Sequence, residues 1–342
     1  MISVRSACAR AVVCMLGMVT ALGNASAVAE DVRGRRAESP SLFPLPVVVP
    51  RDGSILQING EQAARARDAR QRLQVHVAEK GSSSREELAA AIDRLPLASL
   101  SEGHRHQVRQ ILDEVSLFRR LPVITCQADP RVYAYFADNP DVAVSIWRVM
   151  GISEMEMRQV SRWEYESDLK DGTVGLVTVL HSSPELRVAM CEGEFKSPLL
   201  TRPIRSTGLL AVQTKFWKDA SGRDQVTHQA DMFVAIHSDA VETVARLISP
   251  VSFRMADRNF EEVTLFLRMM DEAMTRRPGW MEQTAGNLEG VLPGRDAELL
   301  ELTAEVYSDA SVRRMQVTVP PVPIENERPP LRSASRLSPP AR

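Results

Sequence analysis

Charge of one sign is what this sequence has little of. Its 42 lysines and arginines against 44 aspartates and glutamates leave a formal net charge of −2, so no global field favours a polyanion, and nucleic acid is not an expected partner. Cysteine is equally scarce. Of the four present, Cys8 and Cys14 fall inside the first apolar run. That leaves Cys126 and Cys191, which either form one disulfide in an oxidising compartment or pack as two buried thiols. A core of this size needs no covalent staple, which favours the thiols. Catalytic and metal signatures are missing as well. No G-x-S-x-G elbow, P-loop, G-x-G-x-x-G or H-E-x-x-H string occurs, so the sequence nominates no catalytic residue and implies no cofactor.

What is present begins with an export signal. Arg5 and Arg10 precede an apolar run over residues 11–23, and Ala25-Ser26-Ala27 and Ala27-Val28-Ala29 both fit the small-x-small cleavage rule. The run is too short to span a hydrocarbon core of ~30 Å comfortably. The expectation is therefore a signal peptide over 1–29 and an exported mature chain, periplasmic or secreted, with no integral membrane span after cleavage.

With 44% apolar and 25% charged residues, the remainder has the composition of a globular protein with one main domain. Residues 30–60 carry Pro40, Pro44, Pro46 and Pro50 and read as an extended linker. Helical patterning then covers 61–120. Residues 61–80 have good helix propensity and a thin stripe of Ala66, Leu73 and Val77 that stops at Gly81. Ser84 and Glu87 make a capping box for a helix that Pro96 ends, and 102–119 repeat Val108, Ile111, Leu112 and Val115 at helical spacing.

The texture changes at Leu121. Residues 123–126 read as a short strand, and Asp129-Pro130 and Asn139-Pro140 each set a capping residue before a proline at the first helical position. Strands follow over 161–169, 173–180, 186–194, 207–217 and 225–236, broken by turn chemistry at Asp171-Gly172, Ser183-Pro184 and Ser221-Gly222. With no helix between them they predict an antiparallel meander. A capping box from Asp239 to Glu242 opens a helix that Pro250 should end. Next comes the longest helical pattern, 256–276, with Phe260, Val263, Leu267, Met270 and Met274 on one stripe and Arg268 at its edge, where truncation should be cheap. Residues 281–315 suggest a peripheral helix and loops, and 316–342 a disordered Pro/Arg-rich tail. The fold class is α+β: a curved antiparallel sheet packed on a long C-terminal helix, preceded by a small helical segment.

Polar clusters offer weak sites. His104 and His106 lie about 200° apart on a helix and cannot share an ion, while His181, His228 and His237 have no ligand-spaced partner. Glu164, Glu166 and Asp168 alternate with Trp163 and Tyr165 and so form a wet strand face, and Gly193 between Glu192 and Glu194 suggests a bulge. The apolar residues are the better candidates. Trp147, Trp163, Tyr165, Phe216, Met232, Leu267 and Met270 either line a ligand cavity or close-pack as ordinary core.

In element order, a short strand, two small helices, a meander and a long terminal helix, residues 121–276 resemble the START-like or helix-grip superfamily. That resemblance implies a sheet wrapped on the long helix, and a cavity that in many members takes a lipid or another hydrophobic ligand. It carries no motif residue across. The leading expectation is non-enzymatic binding of a hydrophobic or lipid-like small molecule. Two alternatives stand beside it: an enzyme of the same fold using a buried carboxylate or histidine, and an interaction module docking a protein partner through the 61–120 helices.

Overall fold

The computed structural model describes residues 73–196, 203–237 and 241–318. The expected signal peptide, the linker, most of the 61–80 helix, the Asp239 cap and the tail beyond Thr318 lie outside the described residues. Within them the chain is α+β, as its patterning predicts. Nine strands form one antiparallel curved sheet: β1 (His76–Glu79), β2 (Leu117–Arg120), β3 (Val123–Gln127), β4 (Glu156–Ser161), β5 (Glu164–Asp168), β6 (Thr173–Ser182), β7 (Leu186–Phe195), β8 (Ile204–Lys218) and β9 (Asp224–His237). Their order is β1-β3-β9-β8-β7-β6-β5-β4, and β2 lies end to end with β3 along the same edge of β9.

Alternation of side chains gives the sheet two apolar faces. The outer face, with Val188, Met190, Leu209, Ala211, Phe233 and Ala235, is covered by α1 (Arg85–Asp93) and α2 (Glu102–Asp113) through Ala91, Val108 and Ile111. The inner face belongs to a larger core. It receives α3 (Pro130–Asp138), α4 (Pro140–Val149) and the 36-residue α5 (Val241–Arg276). Behind α5 pack α6 (Pro278–Ala285) and α7 (Arg295–Thr318). Layers on both sides explain why α5 is buried nearly all round between Thr264 and Met274.

The local signals were accurate where a cap fixes a terminus. Ser84 Oγ accepts the Glu87 amide at 3.2 Å and Asp129 accepts the Arg131 amide at 2.9 Å. Asn139 starts α4 but caps nothing, because its side-chain amide donates to the Tyr135 carbonyl.

Elsewhere tertiary pairing overrides helix propensity. The end of the expected 61–80 helix is strand β1, entered after a positive φ of 55° at Gln74 and paired with β3, whose edge would otherwise stay open. The end of the expected 102–119 helix is strand β2. Its Leu117 enters the inner core and its Phe118 the outer one, against Phe233 at 5.2 Å, an arrangement a strand can make and a helix turn cannot. Two elements were not anticipated: β4, which is entered through the alternation Glu154-Met155-Glu156-Met157, and α6, which starts on Pro278. Pro250 does not stop the long helix, which runs through it as one element. Gly193 makes no bulge either, pairing in register with Gly175 and Ser206.

Candidate binding cavity

A cavity of about 440 Å³ lies between the inner sheet face and helices α3, α4 and α5. Its size falls within the ~300–1,000 Å³ of small-molecule sites. Each wall follows from a local pattern. The proline-started α4 turns Ala143, Val144 and Trp147 inward, α5 supplies Phe260, Val263, Phe266 and Leu267, and alternation on β5 to β8 brings Tyr165, Val179, Ala189, Leu210 and Val212. Trp147 and Phe136 each meet the Phe266 ring edge-on at 5.4 Å, which makes the aromatic wall rigid.

Four of the seven nominated residues line this space: Trp147, Trp163, Tyr165 and Leu267. The other three belong to packed core. Phe216 stands edge-on to Tyr133 at 5.7 Å, Met232 is buried on β9 and Met270 is fully buried on α5. Trp163 lies at the rim, 46% exposed, not inside. It and Arg162 are the two residues of the β4–β5 hairpin turn, where the in-and-out rule of a strand no longer holds. Met155, Met157 and Tyr165 carry the inward alternation instead.

The cavity's polar interior is His228, which the sequence offered only as an ordinary polar position. It is buried, and burial pushes its pKa down to about 3. Its partners fix the tautomer. Thr264 Oγ1 donates to the Phe260 carbonyl at 2.9 Å, so it accepts from His228 Nε2 at 2.8 Å. Nδ1 is then the acceptor for the Tyr133 hydroxyl at 2.9 Å, and Tyr133 in turn accepts from Thr214 at 3.1 Å. Every proton in this chain is committed, so the imidazole is a neutral, satisfied group. The signal for it was the pairing of His228 with Thr214 across two strands, visible only once the register is known.

The mouth is polar. Arg187 holds Asp138 at 3.0 Å, and Gln159 bridges α7 to the hairpin, accepting from Arg295 at 3.1 Å and donating to the Arg162 carbonyl at 3.2 Å. Arg162 itself lies over the Trp163 ring at 4.9 Å.

Four buried carboxylates, Asp129, Asp141, Asp231 and Asp271, sit elsewhere among the described residues. Asp141 on α4 is raised above the usual range by burial, with Arg295 opposing, and Asp271 on α5 is raised to about 6 by burial; neither lines the cavity. Cys126 and Cys191 are separate buried thiols, each pushed by burial up to about 12, and they form no disulfide. The wet strand face is confirmed in its charges: Glu166 pairs with Arg158, and Asp168 with Lys170. Among the described residues no group of histidine, cysteine and carboxylate side chains could hold a metal, and no helix is long and apolar enough to cross a membrane.

No family model matches the chain, and no curated protein matches it. Two solved structures are similar in part. A conserved protein from Geobacillus kaustophilus shares 13% identity over 41% of this chain and 93% of that one, with a TM-score of 0.26. An uncharacterised protein from Rhizobium leguminosarum shares 16% identity over 45% of this chain and 92% of its own, also with a TM-score of 0.26.

Proposed function

We propose that this chain is an exported, non-enzymatic binder of a hydrophobic, lipid-like small molecule. The observation that carries the reading is the cavity of about 440 Å³, walled by aromatic and aliphatic side chains of α4, α5 and the inner sheet face. Such a space favours an apolar guest, because filling it removes the guest's surface from water and restores contacts its walls lack. The START-like resemblance, drawn from element order over residues 121–276, implies a guest of the same kind in a space between a curved sheet and its long helix.

The alternatives fare less well. His228, the histidine of the cavity lining, is neutral with all its hydrogen bonds made, which suits a polar landmark better than a proton carrier. The apolar stripes of α1 and α2 are spent on the outer sheet face, so the docking reading lacks its surface.

Native mass spectrometry of protein purified from its natural source should reveal a bound apolar mass that organic solvent extracts. Val263 lines the cavity, so Val263→Trp should fill it and abolish that mass with little change in melting temperature. A folded Val263→Trp variant carrying the same mass would place the ligand elsewhere and defeat the reading.

A further inference from the structure

We propose that the ligand is an anionic amphiphile: an apolar tail occupies the cavity, and an oxyanion headgroup, carboxylate or phosphate, is held at the mouth by Arg162. This rests on the hydrophobic-binding reading and adds the headgroup and the residue that selects it.

Three arginines, Arg162, Arg187 and Arg295, reach the cavity lining, against one acid, Asp138. Two of them are already engaged. Arg187 places both Nε and Nη2 on Asp138 at 3.0 Å, and Arg295 is shared between Glu298 at 2.6 Å and Gln159 at 3.1 Å. Arg162 differs. Among the described residues its guanidinium has no hydrogen-bond acceptor and no carboxylate, only the Trp163 ring beneath it. The ring contact leaves all five donors of the fork unspent beside the opening, and a planar fork of that kind matches an oxyanion. The Gln159 side chain pins the hairpin from below through the Arg162 carbonyl, so the fork is carried on a braced turn.

The interior gives the opposite preference. The Thr214–Tyr133–His228–Thr264 chain has no proton left to offer, and the Trp147 Nε1–H is a neutral donor covered by its neighbours. An anion buried there would lose its hydration without a counter-charge. Orientation is therefore set with the tail inward and the head at Arg162.

The test titrates the full-length mature protein with laurate, lauryl phosphate and lauryl alcohol, following tryptophan fluorescence at low and high salt. Both anions should bind roughly three- to tenfold more tightly than the alcohol, a margin that shrinks with salt. Arg162→Gln should erase that margin and leave the alcohol's affinity unchanged. Arg158→Gln, which removes the same charge from the same hairpin outside the mouth, should preserve it. Equal binding of alcohol and anions by the wild type, or an equal loss for all three in Arg162→Gln, would overturn the headgroup assignment and leave the apolar-cavity reading standing. Failure of all three to bind would overturn both. A preference for only one of the anions identifies the headgroup.

Discussion

Burial holds the Asp271 carboxyl at about 6, although it accepts the Asp129 amide at 2.7 Å and Arg268 Nη1 at 2.9 Å. An unfolded aspartate titrates near 3.8. Between those values the native state binds a proton that the unfolded chain does not, so this group's contribution to stability grows as pH falls through about 6 toward 3.8 and is lost as pH rises through 6. Asp129, held below its usual value mainly by Arg131 against its own burial, acts in the opposite sense and only below that window. Urea midpoints from neutral to mildly acidic pH should therefore fall more steeply with rising pH in the wild type than in Asp271→Asn. Parallel curves for the two would show that Asp271 is not the group responsible. Arg268 belongs to the same cluster. By helical position it is an edge residue whose loss should cost on the order of 0.5 kcal/mol, yet its side chain is 9% exposed between Asp271 and Glu272. Arg268→Ala leaves a buried carboxylate without its counter-charge and should cost about 3–5 kcal/mol by urea titration.

Along α5 the cavity makes neighbouring truncations unequal. Met270 is fully enclosed, so Met270→Ala opens a new void and should cost toward the upper end of ~2–5 kcal/mol. Leu267 already borders empty space, and Leu267→Ala merely enlarges it, at about 2 kcal/mol. Chevron-free equilibrium unfolding of both variants in urea is sufficient. Equal costs would mean that Leu267 is close-packed and the cavity does not reach it. The five-residue stripe from Phe260 to Met274 was legible because helical periodicity needs no partner to be seen. The same holds for α1, α3 and α4, whose starts are written in Ser84, Pro130 and Pro140. The strands β1 and β2 were not legible. Residues 76–79 and 117–120 carry no turn signal of their own, and the edges of β3 and β9 that recruit them lie far away in the chain.

At the scale of the molecule, the described residues form a sheet with a helical layer on each face, and that arrangement predicts which parts are separable. A chain beginning at Leu121 would lose β1, α1, α2 and β2, baring Val188, Met190, Leu209, Phe233 and their neighbours as one apolar face. It should aggregate on size-exclusion chromatography. A chain ending at Thr318 should keep the wild-type melting temperature within a few degrees, since residues 319–342 have few core-forming side chains. A stable monomer from the first truncation, or a large drop in the second, would reverse that division. Sequence alone determined the composition class, the α+β order, the caps at Ser84 and Asp129, the inward stripe of α5 and which residues were apolar enough for an interior, because each of these is set by neighbours a few positions away. Tertiary structure decided the rest. It divided the nominated residues into cavity wall and packed core, put Trp163 and Arg162 at the rim, and joined His228 to Tyr133 and Thr264. It also buried Arg268, and each of these outcomes depends on distances between segments tens of residues apart, which no local pattern encodes.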